Sequence, residues 1–171
     1  MHSVRLLVAL ITTILFSFAA SSQPANAPQP PLQAPAPAQE LPKGYVPGLG
    51  EFMGRIEVDH AKLWLAGEAR NWELADYQLT ELKEVLSDVQ DFVPAYQHIP
   101  VAEMIDAIIV GTVSDLEKAI AARDFNAFSA SFDKLTAGCN SCHEAANKAF
   151  IAIRRPAQSN FSNQDFSPQK K

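Results

Sequence analysis

The residues whose chemistry is easiest to recognise lie near the carboxyl end, in the stretch Cys139-Asn140-Ser141-Cys142-His143. Two cysteines three positions apart, with a histidine directly after the second, form the pattern that attaches a c-type haem. Each thiol can add to one vinyl group of the haem, and the adjacent imidazole can then bind the iron. On a helix these three side chains fall within an arc of about 100 degrees, so one flat cofactor can meet all of them.

Other uses of such a pair are a disulfide or dithiol redox site, half of a zinc site, or two buried thiols. Cys139 and Cys142 are the only cysteines of the chain, and the remaining histidines, His2, His60 and His98, come with no second cysteine pair. A zinc site needs about four ligands, and a thioredoxin-like site needs a βαβ setting, which the sequence does not offer. These observations favour covalent haem attachment, with a Cys139–Cys142 disulfide as an alternative.

Length and charge indicate one globular domain with an ordinary soluble surface. The chain has 171 residues, of which 47% are hydrophobic, and its 14 basic and 19 acidic residues give a net charge of -5. No basic cluster is present, so we expect no nucleic-acid partner.

The amino terminus has the pattern of an export signal. A polar start with His2 and Arg5 precedes an apolar run over residues 6–20, and small residues follow. We expect a signal peptide over residues 1–22, cleaved between 20 and 27, and hence a periplasmic protein. The run is short for a bilayer span, so no stable membrane anchor is expected. Residues 23–47 are rich in proline and alanine and predict an extended linker.

Apolar residues then recur at helical spacing in four segments. The predicted helices cover residues 51–66, 72–91, 101–122 and 125–155. Gly67 is predicted to close the first helix, and Asn71 and Asp124 to cap the second and fourth. The apolar face of the fourth helix is predicted to include Phe150 and Ile153, and no segment shows the alternation of a strand.

Short connections between the first two and the last two helices predict an all-α fold, an antiparallel up-down-up-down four-helix bundle over residues 48–155. Residues 156–171 form a polar C-terminal tail apart from Phe161 and Phe166. We expect that tail to be loosely ordered, although these two aromatic residues could pin it to the bundle.

With its CxxCH motif on the last of four helices, the chain resembles the cytochrome c prime and cytochrome c-556 family, exported four-helix bundles that carry one haem c. The resemblance covers residues 48–155, and it rests in addition on a methionine of the first helix, Met53 in the stretch FMGRIE. That family usually has an aromatic residue and then an arginine after the haem histidine, where this chain has Ala146 and Asn147. The basic residues that could instead contact the haem propionates are Lys148, Arg154 and Arg155.

The resemblance implies that the first helix supplies the residue opposite the haem histidine. Met53 and His60 share the inner face of that helix, about 10.5 Å apart along its axis. In the predicted bundle, the connection after the first helix and the connection before the fourth helix lie at the same end, so distances along the two helices can be compared from there. His143 stands 18 residues after Phe125, whereas Met53 and His60 stand 14 and 7 residues before Gly67. Met53 is therefore closer to level with the iron. It is the preferred sixth ligand, His60 is the alternative, and an open site is the third option.

Each option implies a different function. Iron bound by His and Met has a raised potential and suits electron transfer, whereas an open site would bind nitric oxide or carbon monoxide. The sequence shows no acid/base pair or nucleophile, so we expect an electron carrier and not an enzyme. It would hold one covalent haem c and act with redox partner proteins, and a homodimer is compatible with this. The alternatives are a gas-binding cytochrome of the same fold and an exported bundle with a disulfide and no haem.

Overall fold

The computed structural model describes residues 44–169, and their regular elements are all helices. In chain order these are α1 (Leu49–Glu68), α2 (Trp72–Phe92), α3 (Val101–Ile108), α4 (Val110–Ala121) and α5 (Phe125–Ala145). The described residues contain no strand, and their one β-type pairing is an isolated bridge between Tyr96 and Ile99. The predicted all-α class is confirmed for this part of the chain.

The predictions for the amino terminus fall largely outside the described residues. The expected signal peptide, 1–22, lies wholly outside them, and so does the expected linker up to residue 43. Within residues 44–169, no helix is long and apolar enough to cross a membrane.

α1 and α2 are joined by a short connection that satisfies both helix ends. The side chain of Asn71 accepts a hydrogen bond of 3.1 Å from the Leu74 N–H, so the predicted N-cap of α2 is confirmed. Arg70 adopts a left-handed φ of 62°. The N–H groups of Arg70 and Asn71 bond back to the carbonyls of Gly67 and Ala66 at 3.0 and 2.9 Å. This is the Schellman pattern of a helix end.

The prediction that Gly67 closes the first helix is wrong, because α1 continues to Glu68 and the left-handed residue is Arg70. Gly67 instead lies buried within the last turn of α1. A Cβ atom at this position would stand 2.1 Å from Cε1 of Phe128. The glycine is thus required by the close approach of α5, and not by the local backbone.

The prediction of one helix over residues 101–122 is also wrong, since the helix is interrupted at Ile109. This residue stands in a run of β-branched residues followed by a glycine, all of which have low helix propensity. Gly138 of α5 lies against the junction, where a Cβ atom would be 2.9 Å from Cγ2 of Ile108 and 3.0 Å from Cδ1 of Ile109. α5 therefore packs closely on the junction one residue before the first cysteine of the motif.

α5 begins at the predicted N-cap. The carboxylate of Asp124 accepts hydrogen bonds from the N–H groups of Asn126 and Ala127 at 2.9 and 3.1 Å. Arg123, with a left-handed φ of 53°, ends the preceding helix in the same way as Arg70 ends α1.

The prediction that this last helix continues to residue 155 is wrong, because α5 ends at Ala145. Asn147 takes a left-handed φ of 57°. Its N–H bonds to the Glu144 carbonyl at 3.0 Å, and the Lys148 N–H bonds to the His143 carbonyl at 2.7 Å. This Schellman pattern turns the chain back at the end of the motif.

The hydrophobic core lies among the helices, with α1 packed along α2, α4 along α5, and α2 along α4. The largest fully buried side chains are Leu63, Leu79, Leu82, Val85, Val89, Leu116, Phe128, Phe132 and Leu135. Each contributes about 1.5–3 kcal/mol of hydrophobic stabilisation relative to an exposed side chain. Trp64 of α1 packs against the rings of Phe132 and Phe128 on α5, with centroids 5.0 and 6.1 Å apart. These aromatic contacts hold α1 against α5.

Residues 146–169, here called the C-terminal strap, continue from α5 as non-helical chain. Phe150 and Ile153 belong to the strap and not to the fourth helix, and Phe150 is 79% exposed. Arg155 anchors the strap midway. Its Nε lies 2.6 Å from a carboxylate oxygen of Asp133, and its guanidinium lies over the ring of Trp64, 4.1 Å from the centroid.

The second half of the strap is pinned by its two aromatic residues. Phe166 is 8% exposed, and half-buried Phe161 lies 6.0 Å from it between ring centroids. The side-chain amide of Asn71 donates to the Phe166 carbonyl at 3.3 Å, and Lys62 lies over the ring of Phe161. The strap thus reaches the connection between α1 and α2.

Candidate haem site

The predicted attachment residues lie together in the last two turns of α5. Cys139, Cys142 and His143 are all half-buried, and both thiols are free. Residues three and four apart lie on one face of a helix, so the two thiols and the imidazole are directed to the same side. Cys139 packs against the hydrophobic core, whereas Cys142 and His143 lie in the final turn of the helix.

The electrostatics of the thiols argue against a nucleophilic redox pair. Burial raises the pKa of Cys139 to about 11, with a smaller contribution from nearby Cys142, and burial also raises the pKa of Cys142. Reactive dithiols depend on a lowered thiol pKa, which a helix N-terminus can supply. This motif lies at a helix C-terminus, where the backbone dipole disfavours a thiolate.

The imidazole of His143 is oriented by a backbone carbonyl. Its Nδ1 lies 2.8 Å from the carbonyl oxygen of Ile151 in the strap. A carbonyl only accepts hydrogen bonds, so Nδ1 carries the proton and donates it. In the neutral ring, Nε2 then holds the lone pair that a metal needs, and histidine ligands commonly donate their other N–H in this way.

His60 is held in the core by a hydrogen bond and by packing against an aromatic ring. It is 3% exposed, and its ring lies 4.4 Å from that of Phe132 between centroids. Its Nε2 lies 2.9 Å from the hydroxyl of Thr136, which donates its own proton to the Phe132 carbonyl at 2.9 Å. Nε2 of His60 therefore donates to Thr136. Burial lowers the pKa of His60 to about 4, so the ring is neutral at pH 7.

The contacts of His60 and Trp64 define the register between α1 and α5. His60 meets Phe132 and Thr136, whereas Trp64, four residues later, meets Phe128 and Phe132. Each step of four residues along α1 is matched by a step of four in the reverse direction along α5. The two helices are therefore antiparallel here.

Extended by two turns along both helices, this register would bring the motif level with Met53. Met53 stands seven residues before His60, and residues 139 and 143 stand seven residues after Phe132 and Thr136. Seven residues are close to two full turns, about 10.5 Å, so the same faces of the two helices are involved. Met53 is half-buried and packs against the core.

The three basic residues considered for the propionates differ in their surroundings. The guanidinium of Arg155 is engaged by Asp133 and lies over Trp64. Lys148 and Arg154 are half-buried and exposed, respectively, in the strap just after the motif. These two are therefore the better candidates for contacts to an acidic group bound at the motif.

Sequence reasoning missed three groups that surround these residues. They are the Ile151 carbonyl, which accepts a hydrogen bond from His143, the Thr136 hydroxyl, which accepts one from His60, and the side chain of Asn140. Asn140 bonds to both backbone groups of Ile153. A backbone carbonyl has no sequence signal, and the partners of Thr136 and Asn140 become apparent only once the register and the strap are seen.

No protein-family model, curated protein or solved structure matches this chain. The resemblance to the cytochrome c prime and cytochrome c-556 family therefore rests on the chain's own residues and stays a prediction. Among residues 44–169 there is no group of three or more His, Cys, Asp and Glu side chains that could hold a metal ion.

Proposed function

We propose that the chain is an exported monohaem c-type cytochrome that transfers electrons in the periplasm. Cys139 and Cys142 would hold one haem c by thioether bonds, and Nε2 of His143 would bind its iron. The bound haem supplies a reversible one-electron couple, and the protein supplies ligation, burial and hydrogen bonding around it. The apolar run at residues 6–20 supports export.

The observation that carries this proposal is the hydrogen bond from Nδ1–H of His143 to the Ile151 carbonyl. It places a proton on Nδ1 and orients the ring, so Nε2 is the nitrogen that remains for a metal. Two unpaired thiols lie on the same helical face, and their raised pKa values disfavour the redox-pair alternative. The donor set of the motif therefore fits a haem c.

We further propose that the five helices form an antiparallel up-down-up-down four-helix bundle, with α3 and α4 acting together as one interrupted rod. The packing of α1 on α2, α2 on α4 and α4 on α5 supports this arrangement. So does the antiparallel register of α1 and α5 defined by His60 and Trp64.

We propose Met53 as the sixth ligand, with His60 as the alternative. The position of Met53 on α1, seven residues before His60, supports this choice, because the antiparallel register of α1 and α5 extends from His60 towards the level of the motif. Nε2 of His60 already donates to Thr136. Ligation by His143 and Met53 would favour electron transfer over gas binding.

The surface beside the motif suits a protein partner. Phe150 and Ile151 are 79% and 45% exposed, and they follow directly after the turn that ends the motif. Exposed apolar side chains next to a redox site provide contact area for transient association. Half-buried Cys142 and His143 leave this end of the site accessible to such a partner.

The proposal is tested by expressing the full chain with a haem c maturation system and purifying it from the periplasm. We expect haem that stays with the polypeptide after acid-acetone extraction, and a mass equal to the mature chain plus one haem. The variant Cys139→Ala, Cys142→Ala should lose covalent haem. A colourless wild-type chain whose mass is two hydrogens below that of the bare chain would refute the proposal in favour of the disulfide.

The sixth ligand is tested with Met53→Ala and the matched control Met104→Ala, a half-buried methionine on α3. Carbon monoxide should leave the spectrum of the reduced wild type and of the control unchanged, and should shift that of Met53→Ala. A shift in the wild type would indicate an open, gas-binding site. A shift with His60→Gln but not with Met53→Ala would assign the sixth position to His60.

A further inference from the structure

The side chain of Asn140, between the two cysteines, forms two hydrogen bonds with a single residue of the C-terminal strap, and this pair of bonds is called the grip below. Its Oδ1 accepts from the Ile153 N–H at 2.8 Å, and its Nδ2 donates to the Ile153 carbonyl at 2.9 Å. The amide thus pairs with both backbone groups of one residue, as a neighbouring strand would. Two bonds fix the orientation of the strap here, whereas one bond would leave it free to rotate.

This grip lies beside the carbonyl that orients His143. Ile151 is two residues before Ile153, and its carbonyl receives the Nδ1–H of His143 at 2.8 Å. On its other side, Ile151 is held by a turn in which its N–H bonds to the Lys148 carbonyl at 2.8 Å. The carbonyl is therefore fixed from both sides, by this turn and by Asn140.

Asn140 and His143 are three residues apart on α5, so their side chains lie on neighbouring parts of one face. The same short piece of strap meets both. We propose that Asn140 is a positioning residue for the haem site, which sets the ligand properties of His143 by holding the Ile151 carbonyl in place. This inference rests on the proposed function, because it concerns iron bound at Nε2 of His143.

The physical consequence is a change in the donor strength of the imidazole. A hydrogen bond from Nδ1–H to a fixed carbonyl makes Nε2 more basic and so stabilises the oxidised iron more than the reduced iron. Loss of second-shell hydrogen bonds to metal-bound histidines typically changes metal affinity by about 10–100-fold. If the preference for oxidised over reduced iron falls tenfold, the reduction potential rises by about 59 mV.

The remaining anchors of the strap allow this effect to be separated from unfolding. Arg155 and Phe166 hold the strap through Asp133 and the α1–α2 connection. Replacement of Asn140 should therefore release the strap around Ile153 without detaching it.

The experiment compares the haem-loaded wild type with Asn140→Ala, Asn140→Asp and the control Ser141→Ala. Ser141 also stands between the cysteines, but it is exposed and its hydroxyl donates to the Ala137 carbonyl of its own helix. We would measure amide hydrogen exchange of residues 148–155 and the reduction potential of each protein. Asn140→Asp keeps an acceptor for the Ile153 N–H and loses the donor for its carbonyl, so its effect should be intermediate.

In Asn140→Ala, the amide hydrogen of Ile153 should exchange faster and the reduction potential should rise, with covalent haem retained. Ser141→Ala should match the wild type in both measurements. Unchanged exchange in Asn140→Ala would refute the grip. Faster exchange with an unchanged potential would show that the strap does not affect the ligand. If neither the wild type nor Ser141→Ala holds covalent haem, the proposed function is overturned, and this inference with it. The hydrogen-exchange data would still show whether Asn140 holds the strap at Ile153.

Discussion

Burial of neutral His60 predicts a specific loss of stability in acid. The pKa of His60 is lowered from 6.5 to about 4 because the ring is desolvated in the folded chain. Between these values the unfolded chain binds a proton that the folded chain does not, so the free energy of unfolding falls as the pH falls through this window. With one pKa unit worth about 1.36 kcal/mol, the displacement corresponds to about 3 kcal/mol lost between pH 7 and pH 4.

The measurement is urea unfolding of the wild type, His60→Gln and His98→Gln at a series of pH values. His98 is exposed in the connection between α2 and α3, so its replacement serves as the matched control. Carboxyl groups titrate in all three proteins, and the difference between the curves isolates His60. The wild type and His98→Gln should lose about 3 kcal/mol more than His60→Gln between pH 7 and pH 4. Parallel curves for all three would refute the view that His60 is a neutral core residue.

The remaining predictions concern positions at which a small change meets a defined neighbour. Gly67→Ala should lower the free energy of unfolding by about 1–3 kcal/mol in urea unfolding, because its Cβ would meet Phe128. Gly54→Ala, with no atom within 4 Å of its Cβ, should instead raise the free energy of unfolding by up to about 1 kcal/mol. Equal changes in the free energy of unfolding for Gly67→Ala and Gly54→Ala would contradict the packing argument. Asp124→Ala should cost about 1 kcal/mol through the lost N-cap, with hydrogen exchange rising in the first turn of α5. Gly138→Ala should be destabilising by about 1–3 kcal/mol, and an unchanged urea midpoint would show that the α3–α4 junction adjusts freely.

The parts of the site that could be predicted from sequence are those that depend on local spacing. Cys139, Cys142 and His143 share a face because of their separation along one helix. Asn71 and Asp124 cap helices through groups two or three residues away. Each of these contacts is decided within one turn, and tertiary structure has little influence on it.

The parts that could not be predicted depend on contacts between distant segments. The apolar residues Phe150 and Ile153 continue the helical period of α5, yet the chain leaves the helix at Asn147. Hydrophobic period does not distinguish a helix face from a non-helical segment that is hydrogen-bonded back to the same helix, as Ile153 is to Asn140. The role of Gly67 likewise depends on the close approach of Phe128 from α5.

Under the proposed function, packing favours Met53 over His60 as the sixth ligand, whereas residue type alone favours the opposite choice. Imidazole is the commoner iron ligand, so residue type alone would favour His60. To bind iron through Nε2, however, His60 would have to give up its hydrogen bond to Thr136, at a cost of about 1 kcal/mol or more. It would also have to leave its contact with the ring of Phe132 and act about two turns away from the level of His143. The side chain of Met53 makes no hydrogen bond to other residues of the 44–169 segment, and the register extended from His60 would bring it level with the motif. Its flexible thioether could adapt to a metal at modest cost. If the proposed haem is bound, the aromatic contacts of Trp64 that set this register would bear on the coordination of its iron, without any of those rings contacting the metal.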